Sequence, residues 1–113
     1  MKSFNTSVVE LCQTFTATVE THPFETGWAD EAIFFVLTDA ETSATTRVDL
    51  RVQISPDGIR WIDEGTVASL TGATHDFIRV RHFGGFLRLA GTIHDPAAEP
   101  GSSTITVRLA LKG

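Results

Sequence analysis

The segment Arg47-Val48-Asp49-Leu50-Arg51-Val52-Gln53-Ile54 alternates polar and apolar side chains without a fault. Successive side chains of an extended strand point to opposite faces, so Val48, Leu50, Val52 and Ile54 share one face and the polar residues the other. A helix would scatter the same residues around its circumference. Residues 104–111 repeat the pattern, with Ile105, Val107, Leu109 and Leu111 inward and Thr104, Thr106 and Arg108 outward. Residues 77–83 set Ile78 and Val80 against Arg79 and Arg81, and residues 86–93 set Leu87, Leu89 and Ile93 against Arg88 and Thr92. Upstream, Leu11, Phe15, Ala17 and Val19 share one parity while Thr14, Thr16 and Thr18 share the other. The run Ala32-Ile33-Phe34-Phe35-Val36-Leu37 is continuously apolar and too short for a buried helix, so it is expected to be a strand covered on both faces.

Breaks between these segments fall at residues 21–30, 39–46, 70–76 and 94–103. Ser55-Pro56-Asp57-Gly58 has Pro at the second turn position and Gly at the end, and predicts a hairpin to a short strand at residues 59–62. Gly84-Gly85 has the length and freedom of a two-residue hairpin turn between the strands on either side. No amphipathic helical pattern of about 10 to 15 residues intervenes. The reading is all-β: a single antiparallel β-sandwich of seven or eight strands across residues 1–113, with jelly-roll or immunoglobulin-like connectivity. Residues 1–7 are polar and lack a strand pattern, and are expected to be a flexible N-terminal arm.

Charge narrows the function classes. Nine Lys and Arg against fourteen Asp and Glu give −5, with the signs interspersed, so the basic patch that nucleic-acid binding requires is not expected. Seven of the nine cations are Arg, and Arg47, Arg51, Arg79, Arg81, Arg88 and Arg108 fall in strand segments, where they solvate a sheet or make protein contacts. A solitary Cys12 excludes an intrachain disulfide framework and reads as a small buried or half-buried hydrophobe. One Cys with His22, His75, His82 and His94 gives no zinc-ligand spacing, and the acid pairs Asp39 with Glu41 and Asp63 with Glu64 lack a calcium-loop order. Neither a Gly-x-Ser-x-Gly elbow nor a phosphate-binding loop is present. No catalytic residue, cofactor or metal is expected, and the chain is read as not an enzyme. Neither a signal-peptide core nor a stretch near the roughly 20 apolar residues of a membrane span occurs, so synthesis in the cytoplasm and no membrane partner are expected.

Two tryptophans have competing readings. Trp61, just past the Ser-Pro-Asp-Gly turn, is expected to cover the end of a sheet. Trp28, in the loop leading to the apolar strand, suits either a core plug or a stacking platform.

The stretch from Val48 to Trp61, with its Ser-Pro-Asp-Gly-x-x-Trp hairpin at Ser55, Pro56, Asp57, Gly58 and Trp61, resembles small β-sandwich structural proteins of tailed bacteriophages and prophages. Phe77-Ile78-Arg79-Val80-Arg81 and the closing strand from Thr104 to Lys112 extend the similarity to about two thirds of the chain. Discoidin-like sandwiches use a similar hairpin, but this chain is shorter and lacks their bridging cysteines. The resemblance implies a non-catalytic virion component such as a capsid decoration or head-accessory protein. Its implied partners are further copies of itself, for instance in a trimer, and a capsid or particle shell protein. Phe24, Trp28, Phe83 and Phe86 would then be apolar anchors and Arg79 and Arg81 complementary charges, with the arm at residues 1–7 ordering on a neighbour. The alternative is a carbohydrate- or surface-binding module with an exposed tryptophan beside polar loops and a glycan as ligand.

Overall fold

The structure, a computed structural model, describes residues 4–81 and 83–113; His82 and the first three residues of the expected arm lie outside the described residues. Nine strands form among the described residues, and none of these residues is helical. They are β1 (Phe4–Thr16), β2 (Thr18–Glu20), β3 (Phe24–Glu25), β4 (Glu31–Thr38), β5 (Arg47–Ser55), β6 (Ile62–Thr71), β7 (His75–Arg81), β8 (Phe86–His94) and β9 (Ser102–Lys112). One sheet has the order β1-β9-β4-β7, and the other has the order β2-β8-β5-β6 with the two-residue β3 added to β8. Without β3, this is the arrangement of an eight-stranded jelly roll, and every pairing is antiparallel. The choice between jelly-roll and immunoglobulin-like connectivity is thereby made.

The core lies between the sheets, where the inward parities meet. From the first sheet come Phe34, Val36, Ile78, Val80, Ile105, Val107 and Leu109, and from the second Val48, Leu50, Val52, Leu87 and Leu89, all buried. Those of β5, β7, β8 and β9 are the inward residues that the alternation predicts, whereas the run at residues 32–37 gives no parity for Phe34 and Val36. Within the second sheet, β8 and β5 approach the limit of backbone contact at Gly91, opposite Leu50: a Cβ there would overlap the Asp49 carbonyl. Only glycine fits that position.

Several expectations are corrected. Gly84-Gly85 is not a hairpin turn, because β7 belongs to the first sheet and β8 to the second; the pair is a crossover between layers, and neither glycine has a positive φ. Thr26, fully buried, latches this crossover: its amide donates to the Gly85 carbonyl at 2.7 Å and its hydroxyl to the Gly84 carbonyl at 3.2 Å. Residues 4–7 of the expected arm are strand, with Phe4 opposite Lys112 and Ser7 opposite Leu109. An edge strand needs only backbone pairing and tolerates a polar sequence, which is why no alternation announced it. The expected strand at residues 59–62 is displaced: β6 begins at Ile62 and runs to Thr71, with extra residues bulged around Gly65 at φ 117°. The apolar run at residues 32–37 is covered on one face only, since the first sheet is an outer layer.

Gly91→Ala is expected to lower stability by about 3 kcal/mol or to prevent folding, whereas Ala90→Gly on the same strand is expected to cost about 1 kcal/mol. Urea denaturation followed by circular dichroism checks both.

Candidate functional site

The two sheets turn very different outer faces to solvent. On the second sheet the polar residues form a connected network. The Arg88 guanidinium donates to Gln53 at 2.8 Å and to Glu20 at 3.1 Å; the Gln53 amide donates to Asp63 at 2.9 Å, and Asp63 also accepts from Arg51 at 3.2 Å. Arg47 pairs with Asp49 at 3.1 Å. Trp61 lies under Arg88, with the guanidinium carbon 4.3 Å from its ring centroid, so this tryptophan is half-buried on the sheet surface and its π face is occupied. Most of the face is tied up by its own side chains, although Val67 on β6, in register with Arg51, is 72% exposed.

The outer face of the first sheet is built otherwise. Register places Val8, Arg108, Phe35 and Phe77 in one row across β1, β9, β4 and β7, and Thr6, Ala110, Ile33 and Arg79 in the next. Phe35 is 46% and Phe77 49% exposed, and Leu37, Val8, Leu11 and Phe4 are exposed around them. At one end a depression of about 250 Å³ is lined by Phe4, Glu31, Ile33, Arg79, Arg81 and Lys112. Arg79 stacks on Phe77 at 5.1 Å and Lys112 on Phe4 at 5.8 Å, while Arg81 pairs with Glu31 at 2.6 Å. Among the described residues, Arg79, Arg108 and Lys112 have no carboxylate within ion-pair distance. The face thus mixes exposed apolar side chains with cations: Arg79 and Lys112 stack on rings at its sides, and Arg108 lies between Val8 and Phe35.

The six residues read as interface anchors separate. Arg79 and Arg81 lie on this face. Phe24 and Phe83 are partly buried and pack on the core, and Phe86 is half-buried with its ring against Gly58, so these three rings serve the fold. Trp28 is 44% exposed, beside Gly113. The residues that sequence reasoning missed are Phe35, Leu37 and Phe77. Their signal was present in the uninterrupted apolar run at residues 32–37, which has one parity more than a single core face requires.

The Ser-Pro-Asp-Gly segment does form a tight turn. The Ser55 hydroxyl oxygen accepts from the Gly58 amide at 2.8 Å and the Asp57 amide at 3.2 Å, and Gly58 has φ 78°. Asp57 Oδ1 accepts from the Ile59 amide at 2.8 Å and the Arg60 amide at 2.9 Å. These two bonds, the one from Arg60 first, hold the Asp57 carboxyl below the usual carboxylate range. Beyond the turn, Ile59 is 79% and Ile62 62% exposed. A second constrained loop joins β1 to the segment after β2: buried Glu10 accepts from the His22 amide at 2.8 Å and lies 2.7 Å from His22 Nδ1. Among the described residues, no group of three or more His, Cys, Asp or Glu is placed to hold a metal ion. Cys12 is exposed rather than buried or half-buried, because it lies in the bulged part of edge strand β1. His94 Nε2 lies 3.7 Å from Asp49.

No family model matches this sequence, and no curated protein matches it as a relative. Solved structures share its fold. The SPBc2 prophage-derived protein YomS superimposes with a TM-score of 0.59 at 13% identity, covering 100% of this chain and 96% of YomS. The PBSX exported protein XepA superimposes with a TM-score of 0.59 at 6% identity, over 98% of this chain and 36% of XepA. VP2 of the infectious bursal disease virus subviral particle gives 0.62 at 10% identity, over 98% of this chain and 32% of VP2. The chain thus spans about a third of XepA and of the bursal virus protein, and nearly all of YomS. At these identities the likeness is one of fold.

Because the Asp57 carboxyl is lowered in the folded state, its contribution is present above the unfolded value near about pH 4 and is lost as pH falls through the folded one. Asp57→Asn is therefore expected to destabilise the protein near neutrality and to flatten its stability loss on acidification. Urea midpoints measured across a pH series for both forms check this.

Proposed function

We propose that this chain is a non-catalytic structural component of a viral or phage-derived particle, acting through protein–protein contacts. The observation that carries the reading is the outer face of the first sheet, where Phe35, Leu37 and Phe77 lie exposed together, with Arg79 stacked on Phe77. The fold supports it. Jelly rolls recur in capsid proteins, and the solved structures of the same fold include prophage proteins and VP2 of a subviral particle. Decoration or head accessory is the specific role, since a small rigid sandwich with one sticky face is suited to sitting on a shell. Its location is the virion, after synthesis in a host cell.

Fold alone does not assign function, and jelly rolls also serve as lectins. The glycan-binding reading is less well supported, because Arg88 covers the ring of Trp61 and leaves Trp28 as the exposed indole. The non-catalytic reading is supported by the occupation of the acids: Glu10, Glu20, Asp49, Asp57 and Asp63 are each engaged in a structural hydrogen bond or ion pair. The test is to purify particles from the source culture on a density gradient and quantify this chain by mass spectrometry. It is expected in the particle band at a fixed ratio to the shell protein, and its absence there sinks the proposal. In the same preparation, Phe35→Ser with Phe77→Ser is expected to leave the fold intact and remove the chain from the particles.

A further inference from the structure

The exposed apolar residues of this chain fall into two main groups on opposite layers. One is the outer face of the first sheet, around Phe35 and Phe77. Across four strands and about six residues of each, that face spans roughly 400 Å², of which Phe35, Leu37 and Phe77 form a contiguous apolar part. The other is the tip of the β5–β6 hairpin on the second sheet, where Ile59 and Ile62 project beside the turn. The charges of the two groups are opposite. Arg79, Arg81, Arg108 and Lys112 against Glu31 give the face +3, and with −5 for the whole chain the rest of the molecule has −8. The tip contributes to that excess by one: Asp57, Asp63 and Glu64 face Arg60 and the Arg51 that pairs with Asp63.

We propose that these two surfaces bind each other between copies: the hairpin tip of one molecule docks on the outer face of the first sheet of the next, with Ile59 and Ile62 against Phe35, Leu37 and Phe77. The inference deepens the structural-component reading by naming its first partner as a second copy of this chain. Charge excludes the simpler two-fold arrangement, in which two such faces would stack directly and bring Arg79, Arg108 and Lys112 of both copies together without carboxylates enough to pair them. It also excludes a molecule binding itself, because the tip belongs to the layer facing away from the first sheet's outer surface. A head-to-tail contact is heterologous, so it closes a ring or continues as a filament.

The experiment is sedimentation velocity with light scattering on the purified full chain, across a dilution series and at two salt concentrations. Unaltered protein is expected to gain mass with concentration and to dissociate as salt rises, since exposed charge pairs are screened. Phe35→Ser with Phe77→Ser removes the face, and Ile59→Lys with Ile62→Lys removes the tip; all four residues are exposed, and circular dichroism confirms that each variant is folded. Each variant alone is expected to be monomeric, with association weakened at least about tenfold. An equimolar mixture of the two retains one good face and one good tip, and is expected to give a one-to-one dimer and nothing larger. Unaltered protein that stays monomeric throughout overturns the proposal, as does a tip variant that still dimerises, which would mean face-to-face pairing. Failure here together with recovery of the chain in purified particles would overturn only self-docking, whereas absence from particles overturns the structural-component reading itself.

Discussion

Both sheets depend on strands from the C-terminal part of the chain. β9 lies between β1 and β4, and β8 lies between β2 and β5. Remove β9 and β1 has no hydrogen-bonded neighbour, while the pair β4 and β7 loses the strand that joins it to the rest of its sheet. This central position is visible in side-chain burial: Ile105, Val107 and Leu109 are enclosed on the inner side, and Thr106 and Ala110 are buried even on the outer one. A hydrogen-bond ladder shared with two neighbours leaves a central strand no free backbone groups, so its position costs nothing in unsatisfied polar atoms. Gly91 has the matching role in the other sheet, allowing β8 to lie against β5 where a Cβ would collide with the backbone.

The same architecture leaves two outer faces, and the polar residues on them determine how each meets its surroundings. On the second sheet Glu20, Arg88, Gln53, Asp63 and Arg51 satisfy one another across four strands, and Trp61 is held under Arg88. A neighbour would have to disrupt those bonds to gain contact there. On the first sheet the cations stack on aromatic rings, and the rings stay open to solvent. The exposed edge strand β1 is interrupted by register shifts between Val8 and Glu10 and between Glu10 and Gln13, where Cys12 takes a left-handed φ of 48° and its amide donates to the Thr106 hydroxyl. Bulges of this kind twist an edge and hinder strand addition.

The strands and the inward parities of β5, β7, β8 and β9 were legible because each depends on local alternation alone. The apolar run of β4 was legible as a strand but not as an exposed face: burial on two faces and burial on one face with the other open to solvent produce the same letters. Arg79 and Arg81 were recognised as outward-facing, whereas Phe24, Phe83 and Phe86 looked like loop anchors and are engaged in packing. The hydrogen bond from His22 to Glu10 links residues from separate segments and left no mark in the spacing of either.

By itself the sequence determined the class of the protein, an antiparallel β-sandwich with hydrophobic parities turned inward, because side-chain alternation is a property of each strand separately. It also determined the Ser55 to Gly58 turn, whose donors and acceptors lie within a few residues of one another. The tertiary structure decided which strands are neighbours. Of the consecutive strands, β5 and β6 are hydrogen bonded to each other, while every other pairing joins strands that are distant in sequence. No local pattern specifies a partner far along the chain, so the jelly-roll order and the Gly84-Gly85 crossover emerge only when the layers assemble. The open aromatic face emerges at the same stage, from the packing of two sheets rather than three.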